Sequence, residues 1–456
     1  MTLMERLRLI YPDDYSSVTE RIEALITTWH PKLNRMYKPL SEKDVVLITY
    51  ADAINAHNMN PLEALDVFLK DILKEAISVV HLLPMYPFTS DDGFSVTDYY
   101  EINPEFGDWR HVERLAESFD LMFDVVLNHC SKESVYFKSF LENECHYKDF
   151  FIKKNEGDYS KVIRPRVSPL FTAFPTPEGD IEVWTTFSDD QVDFNFRNPN
   201  VLIKMIDVIL FYLSKGARFL RFDAVGFIWK ASQTTCMHLP ETHEIIKIIR
   251  HVVDACVPGV KIITETNVKH HENISYFGNG RDEASMVYQF ALPPLVLHTL
   301  LTHSTKAMNA WLGHLFLPSE SVTYFNFLSS HDGIGLRAVE DILSENEIAN
   351  LIESVTHQGG KINYRKLDDG RSIPYELCIS FLDALSDDFE SEDMEIQKFL
   401  AAHAILLSLQ GVPAIYYNSV MGMRNDDLAV KTTGIHRRIN RKKHILSALV
   451  ETLSRS

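Results

Sequence analysis

The chain of 456 residues, 45% of them hydrophobic and 24% charged, is long enough for one large globular domain with insertions or for two to three domains. Its net charge of −18 disfavours non-specific binding to nucleic acid or to an anionic membrane, so we expect neither as a partner. No segment approaches the roughly 20 consecutive apolar residues of a membrane span. An anionic ligand would need a local basic pocket that works against the overall charge.

The five cysteines are widely spaced and include no CxxC pair. This pattern is typical of reduced thiols and predicts a cytoplasmic enzyme rather than a disulfide framework or a zinc site. The oligomeric state does not follow from the sequence.

Residues 1–43 are predicted to form a helical N-terminal extension. Ile22, Leu25, Ile26 and Trp29 recur at the spacing of one helix face. Such an apolar stripe is more often buried than functional, so we expect the extension to pack against the rest of the chain.

After the extension, short apolar segments alternate with longer helical patterns, as in a parallel α/β sheet. The predicted strands are Val45–Tyr50, Val79–Leu83, Met122–Leu127, Arg218–Phe222, Lys261–Thr264, Met286–Phe290, Tyr324–Leu328 and Ala414–Tyr417. Eight strands favour a TIM (β/α)8 barrel built from residues 44–129, 197–333 and 394–456. An open doubly wound sheet is the competing interpretation. The positions of the polar residues favour the barrel, because barrel active sites form at the carboxyl ends of the strands, where these residues lie: Asp124, Asn128–His129, Asp223, Glu265 and His331–Asp332.

Two connections are too long to be ordinary turns. Residues 130–196, after the third strand, are rich in aromatic residues and proline and are predicted to form an inserted subdomain. Residues 334–393, after the seventh strand, are predicted to form a second insertion. Long structured insertions at this face of a barrel usually shape a binding site.

Four short segments carry the chemistry: DVVLNH, RFLRFDAVG, IITETN and FLSSHDGIG, which begin at Asp124, Arg218, Ile262 and Phe327. Each places a carboxylate beside an arginine, histidine or asparagine at the end of a strand. One such segment alone is more often a helix cap or a turn. Four in this order predict a catalytic site.

Glycoside transfer needs two carboxylates, one ionised and one protonated. Arg221 lies two residues before Asp223, so both side chains point to the same side of the strand, and the guanidinium is expected to lower the pKa of Asp223. Glu265 has no cation within two residues, which favours a raised pKa and the role of proton donor. Asp332, beside His331, could stabilise positive charge on the sugar ring. A plain buried salt bridge between Arg221 and Asp223 is the structural alternative.

These segments, together with QVDFNFRNP (Gln191–Pro199), resemble the α-amylase superfamily, glycoside hydrolase family 13. Within it, HLLPMYPFTSDDGFSVTDY, FALPPLVLH, SSHDGIG and GVPAIYY resemble the sucrose-phosphorylase group. The N-terminal extension with SDDGFSV, WTTFSDDQVDFN, AVGFIWK and INRKKH looks most like the glucosylglycerate phosphorylases. The resemblance runs from about Asp44 to Arg441.

The resemblance implies roles by position. Asp223 would be the nucleophile, Glu265 the general acid and base, and Asp332 the stabiliser of the transition state. The glucose pocket would be lined by Asp91, Phe94, His129, Arg221, His331 and Arg437. Arg166, within RPR (Arg164–Arg166), would contact phosphate, although a solvated surface pair is the slightly favoured interpretation of the two arginines from local sequence alone.

The implied reaction is retaining phosphorolysis of an α-glucoside, with inorganic phosphate as co-substrate and no cofactor or metal. The stretch Ile373-Pro374-Tyr375-Glu376 stands where the pattern of sucrose phosphorylases carries an Asp and a Gln, and Phe227 takes the place of a Tyr, which favours an acceptor other than fructose. Tyr375 and Glu376 are therefore expected on the acceptor side. Arg365, Lys366 and Arg371 are candidates to meet a glycerate carboxylate, although a solvated charged loop is commoner.

Three other functions stay open on the sequence. They are a sucrose or sucrose-phosphate phosphorylase, a related α-glucosidase or transglucosylase, and an inactive truncated paralogue that binds sugar. The last alternative arises because relatives of the group continue into a C-terminal β domain, which we expect to be missing from a chain that stops at Ser456.

Overall fold

The computed structural model describes residues 1–33, 35–367 and 370–455, which form seventeen strands and sixteen α-helices within these ranges. The strands are β1 Val46–Thr49, β2 Ile54–Asn55, β3 Val79–Leu82, β4 Asp120–Val126, β5 His129–Ser131, β6 Phe171–Phe174, β7 Ile181–Trp184, β8 Gln191–Asp193, β9 Ala217–Asp223, β10 Lys261–Thr264, β11 Met286–Tyr288, β12 Thr323–Phe327, β13 Ile334–Gly335, β14 Lys361–Lys366, β15 Ser372–Cys378, β16 Val412–Tyr416 and β17 His444–Ile445. The helices are α1 Leu3–Ile10, α2 Tyr15–Trp29, α3 Pro61–Phe68, α4 Trp109–Leu115, α5 Val135–Leu141, α6 Pro199–Ser214, α7 Pro240–Cys256, α8 His270–Asn273, α9 Leu292–Thr302, α10 Lys306–Leu312, α11 Glu345–His357, α12 Phe381–Ala384, α13 Glu392–Ser408, α14 Tyr417–Val420, α15 Asp427–Thr433 and α16 Leu446–Arg455.

Eight parallel strands close into a barrel in the order β1-β3-β4-β9-β10-β11-β12-β16 and back to β1. Every predicted strand is one of these eight, and the TIM barrel is confirmed. The strands are largely apolar because the barrel interior and the surrounding helices bury them; the burial of β1 and β3 is complete along their lengths. The open-sheet alternative is therefore wrong.

Strand register brings the predicted catalytic residues to one rim. Phe222 of β9 pairs with Thr264 of β10, so Asp223 and Glu265 each follow a paired position at the carboxyl end of neighbouring strands. The helix that feeds β9, α6, ends at Ser214, and Gly216 follows it with φ of +102°, a backbone conformation that favours glycine and stops the helix.

The N-terminal extension packs against the barrel helices. Leu7 and Ile22 are fully buried, and Arg6 of α1 bridges Glu244 of α7 and Asp282. Helix ends earlier than the predicted 1–43: a 3-10 turn finishes at Lys32, and residues 35–43 contain no helix. Pro39 has no backbone N–H to donate, which disfavours a helix there.

The two long connections contain structure of their own. Residues 130–196 include α5 and the hairpin of β6 and β7, and β8 pairs with β5. Residues 334–393 include α11 and a three-stranded sheet in the order β13-β15-β14. The exact domain boundaries stay predictions. After β16, the chain continues through α14 and α15 to β17, which pairs with β2, and to α16.

Candidate active site

A cavity with an empty volume of about 860 Å³ lies at the carboxyl ends of the barrel strands. It is lined by residues from the barrel and from both long connections, and these include most of the predicted site: Asp91, Phe94, His129, Arg166, Asp223, Glu265, His331, Asp332, Tyr375, Glu376 and Arg437. Residues far apart in the sequence thus meet at one hollow. Their assigned roles in catalysis and binding stay predictions.

Arg221 differs from its prediction, because it does not line this cavity. Its side chain is 1% exposed and lies behind Asp223, where Nη1 is 3.0 Å from Oδ1 of Asp223 and also donates to Asp124. Asp124 is bound in turn by Nε2 of His81 at 2.7 Å. The guanidinium is thus held between the carboxylates of Asp124 and Asp223, behind the wall of the cavity.

The pKa of Asp223 is subject to opposing influences. Burial raises its pKa well above the usual value, Arg221 opposes the rise, and the nearby Glu265 and Asp124 add to it. Arg221 does lower the pKa of Asp223, as predicted, but burial outweighs it, so the predicted net lowering is wrong. The guanidinium is also shared between Asp124 and Asp223. Burial raises the pKa of Glu265 as well, with Arg221 lowering it and Asp332 raising it.

Glu265 is fixed by the residue that follows the predicted nucleophile. The backbone N–H of Ala224 donates to Oε2 of Glu265 at 3.1 Å, and Nη2 of Arg221 lies 4.0 Å from the same oxygen. Ala224 adopts a left-handed backbone conformation with φ of +47°. The turn after β9 thus ties the positions of Asp223 and Glu265 together.

Asp332 is joined to Glu376 by one guanidinium. Nη1 of Arg437 lies 2.5 Å from Oδ1 of Asp332, and Nη2 lies 3.0 Å from Oε1 of Glu376. Burial is the largest influence and disfavours the charge on Asp332, but Arg437 together with Arg221, Arg441 and Arg166 outweighs it, and the pKa of Asp332 is lowered. Glu376 also accepts from the backbone N–H of Gly333 and from Nδ2 of Asn363 at 3.0 Å. Asp332 therefore presents a negative charge to the cavity.

Two histidines and an aromatic ring form another wall. The rings of Phe94 and His331 stack with their centroids 4.8 Å apart and an angle of 7° between their planes. His129 contacts the backbone oxygen of Phe94 at 3.0 Å and Nε2 of Gln191 is 3.2 Å from its ring. Burial lowers the pKa of both histidines, with Arg221 lowering that of His331 further, so both rings are neutral near pH 7.

Asp91 lies in a tight turn at the mouth of the cavity. Asp91 and Asp92 both have φ near +50°, and Gly93 has φ of +116°. Arg441 holds the turn, with Nη1 2.6 Å from Oδ2 of Asp92 and 3.8 Å from Oδ1 of Asp91. This ion pair explains how two consecutive non-glycine residues keep a left-handed backbone.

The two long connections contribute arginines to the cavity wall: Arg166 from residues 130–196 and Arg365 from residues 334–393. The guanidinium of Arg166 lies 5.8 Å from the ring of Phe187 and 6.0 Å from that of Tyr375. Tyr375 and Glu376 belong to β15 and not to the loop that the sequence predicts. Arg365 lines the cavity but is paired with Glu340 at 3.1 Å. Lys366 and Arg371 are exposed.

Sequence reasoning missed several residues that line the cavity. The interpretation of Arg164 as a solvated surface residue is wrong, because two nitrogens of its guanidinium are buried. Further lining residues without a predicted role include Phe187, Gln191, Asn267 and Arg337. Gln191, Asn267 and Arg337 stand within or just beyond the quoted motifs, which is the signal that could have found them.

The described ranges contain neither a metal-binding cluster nor a helix suited to a membrane. No group of three or more His, Cys, Asp or Glu side chains there is arranged to hold a metal ion. None of the described helices combines the length and apolar character that crossing a membrane requires.

Known proteins resemble this chain along nearly all of its length. The α-amylase catalytic domain matches residues 65–333, more than half of the chain. Glucosylglycerate phosphorylase of Allomeiothermus silvanus is 47% identical over 99% of this chain and 82% of that protein, and the enzyme of Escherichia coli is 49% identical over 90% and 74%. The crystal structure of sucrose 6F-phosphate phosphorylase from Thermoanaerobacter thermosaccharolyticum superposes with a TM-score of 0.80 at 27% identity, covering 91% of this chain and 83% of that one. The chain therefore belongs to the α-amylase family and, within it, to the group that contains these glycoside phosphorylases.

Proposed function

We propose that this protein is a retaining glycoside phosphorylase that cleaves an α-glucoside, with glucosylglycerate as the favoured donor, and releases α-glucose 1-phosphate. The observation that carries the proposal is the meeting of Asp223, Glu265 and Asp332 at one cavity that also contains Arg166. The first three residues supply the chemistry of glycoside transfer, and a guanidinium is the side chain that best binds phosphate. The similarity to glucosylglycerate phosphorylases supports the choice of donor.

In the first step, a carboxylate oxygen of Asp223 attacks the anomeric carbon while Glu265 donates its proton to the glycosidic oxygen. The bond to the leaving acceptor breaks, and a β-glucosyl ester forms on Asp223. The two carboxyl groups titrate as a coupled pair. Arg221 lies 3.0 Å from Asp223 and 4.0 Å from Glu265, so its charge favours the proton on Glu265 and the negative charge on Asp223.

In the second step, phosphate occupies the place that the acceptor has left. Glu265, now ionised, takes a proton from phosphate, and the phosphate oxygen attacks the anomeric carbon and displaces Asp223. Two inversions give net retention and the α anomer of glucose 1-phosphate. Arg166 contacts the phosphate during this step, and the arginine offsets the repulsion between phosphate and the acidic site.

The remaining residues bind the sugar. Asp91, Phe94, His129 and His331 contact the glucosyl unit, and Asp332 stabilises the positive charge that develops on the ring. Arg437 orients Asp332, with which it pairs at 2.5 Å. Tyr375 and Glu376 belong to the acceptor side. Phosphate is the co-substrate, and the reaction needs no metal or cofactor.

The five cysteines form no disulfide bonds, which supports a cytoplasmic location.

The experiment that tests this proposal compares three donors with and without phosphate. The purified protein is incubated with glucosylglycerate, sucrose or glucosylglycerol, and both glucose 1-phosphate and free glucose are measured. We expect glucose 1-phosphate from glucosylglycerate only when phosphate is present. Equal release of glucose with and without phosphate would identify a hydrolase. No product from any donor would favour the inactive sugar-binding alternative.

A further inference from the structure

We propose that Arg164 and Arg337 form a carboxylate-binding subsite on the acceptor side of the cavity, which selects small hydroxy acids over neutral polyols. The inference deepens the proposed function and rests on it. Neither arginine has an assigned role in the reaction described above. Both line the cavity that contains Asp223 and Glu265.

Arg164 is a half-buried cation without a counter-charge. Its Nε and Nη2 atoms are buried and have no hydrogen-bond partner, and it forms no ion pair with any residue that the structure describes. Burial lowers the pKa of Arg164, and no neighbouring carboxylate opposes that change. Arg437, in the same cavity, is instead fully occupied by Asp332 and Glu376. Leaving a buried guanidinium without an anion is costly, so the position is best explained by an anionic ligand.

Arg337 has only weak partners. Its Nη2 atom lies 3.6 Å from Oε2 of Glu272, which is too long for a good hydrogen bond, and its Nη1 atom lies 3.9 Å from the sulfur of Met237, a weak acceptor. The side chain is 11% exposed. Because both contacts are weak, this guanidinium can turn donors towards a ligand in the cavity.

The apolar surface between the two arginines places them beside the reacting centre. A small cluster of buried side chains starts at Ala224, directly after Asp223, and includes Phe227 and Met237. Ile163, the residue before Arg164, packs against this cluster, and Met237 contacts Arg337. An acceptor bound over the cluster would thus rest its carbon atoms on an apolar surface next to the anomeric centre, in a cavity that both arginines line.

Charge explains why such a subsite gives specificity. A carboxylate that enters this cavity meets Asp223, Glu265 and Asp332, all of which disfavour a further negative charge. The unpaired guanidinium of Arg164 and the weakly paired one of Arg337 reverse that penalty for an acid and offer little to a neutral polyol. Oδ1 of Asn267 is also buried without a partner in the same cavity and can accept a hydrogen bond from a hydroxyl of the acid.

The test uses Arg164→Gln and Arg337→Gln, each with the corresponding lysine variant, and Arg110→Gln as the control. Arg110 is 86% exposed and does not line the cavity. Binding of D-glycerate is measured by titration calorimetry, which does not depend on turnover. In parallel, kcat/KM for D-glycerate and for glycerol is measured with glucose 1-phosphate as donor.

We expect each glutamine variant to weaken D-glycerate binding about 10- to 100-fold, the loss typical of a charge-assisted hydrogen bond. The ratio of kcat/KM for glycerate over glycerol should fall by a similar factor. The lysine variants should keep part of the affinity, because they keep the charge and lose the fork geometry. Arg164→Gln should also raise the Tm of the ligand-free protein, since it removes an unpaired buried charge, and this shows that lost binding is not lost folding.

Unchanged glycerate affinity in either glutamine variant would overturn the two-arginine subsite, as would an equal loss in Arg110→Gln. The failure of the proposed function looks different. In that case the unmodified protein forms no glucose 1-phosphate from glucosylglycerate and phosphate, while the calorimetric comparison of the variants still decides whether the two arginines bind a carboxylate.

Discussion

The backbone N–H of Ala224 donates a hydrogen bond of 3.1 Å to Oε2 of Glu265. Ala224 follows Asp223 and has φ of +47°. Its amide points towards the side chain of Glu265, which follows the neighbouring strand β10. The predicted nucleophile and the predicted proton donor are thus held by a single turn of the backbone. A left-handed conformation at a residue with a side chain is strained, and here the strain lies at the reacting centre.

This turn gives the first prediction, which concerns Ala224→Val. A β-branched side chain disfavours the left-handed conformation, so we expect a loss of about 1–2 kcal/mol in the free energy of unfolding and a lower kcat. Ala224→Gly is the matched control, because glycine adopts this conformation freely and should keep both stability and kcat near their original values. Denaturant unfolding and steady-state kinetics measure the two effects. A valine variant that matches the glycine variant in both would show that the turn carries no strain.

The second prediction contrasts two carboxylates that share Arg221. Asp223→Asn should lower kcat by at least about 10³-fold, because a covalent nucleophile is lost. Its Tm at pH 7 should not fall: burial raises the pKa of Asp223 in the folded protein, so its ionised form costs stability above that pKa, and an amide removes the cost. Asp124→Asn, which breaks a fully buried pair with Arg221 and His81, should instead cost about 3–5 kcal/mol of stability. Thermal unfolding of both variants checks this contrast, and a lower Tm for Asp223→Asn would contradict it.

The third prediction concerns the dependence of kcat/KM on pH. Activity requires Asp223 ionised and Glu265 protonated, so it falls at low pH through the pKa of Asp223 and at high pH through that of Glu265. Burial raises both pKa values above the usual 3.8 and 4.5, so both limbs should lie at higher pH than those of free carboxyl groups.

Glu265→Gln provides the check on this assignment. With α-glucosyl fluoride, whose fluoride leaves without protonation, the variant should react and should lack the alkaline limb. His331 should contribute no limb, since burial and Arg221 keep its pKa well below 6.5. Persistence of the alkaline limb in Glu265→Gln would assign it to another group.

The fourth prediction tests the contact between the barrel and the insertion after β12. A Cβ atom on Gly333 would lie 2.5 Å from the backbone oxygen of Leu377 and 2.6 Å from Cγ of Glu376. Gly333→Ala should therefore displace β15, lower stability by about 1–3 kcal/mol and reduce kcat/KM, because Glu376 and Arg437 help to hold Asp332. Gly313→Ala is the control, since its nearest contact would be an ordinary 3.5 Å. Equal behaviour of the two variants would refute the steric argument.

The barrel could be predicted because each of its strands is recognisable from a few consecutive residues of the sequence. The barrel strands are short, mostly apolar and largely buried, as Val46–Thr49 illustrates, and several polar residues of the site follow at the carboxyl ends. The pairing of Arg221 with Asp223 also follows from strand alternation, which puts residues two apart on the same side. The meeting of Asp223 with Glu265 follows from the strand order once the barrel is recognised.

Other features could not be predicted, because they depend on contacts between distant segments. The sequence around Arg221 does not reveal that Asp124, nearly a hundred residues earlier, shares its guanidinium and so changes the pKa of Asp223. Arg164 looks like a surface residue in its local sequence, and only the packing of the inserted segment against the turn after β9 buries it. Arg337 lies two residues after the FLSSHDGIG segment, but the local sequence does not show how weakly it is paired, since its partners Met237 and Glu272 come from other connections.

The central claim is that Asp223 carries the glucosyl unit during turnover, and one measurement tests it most directly. Glu265→Gln is incubated with α-glucosyl fluoride, quenched in acid and digested with pepsin, and the peptides are analysed by mass spectrometry. The account predicts that the peptide containing Asp223 gains the mass of one glucosyl residue and loses it when phosphate is added before the quench. An unmodified Asp223 peptide, or a glucosyl residue attached elsewhere, would contradict the account.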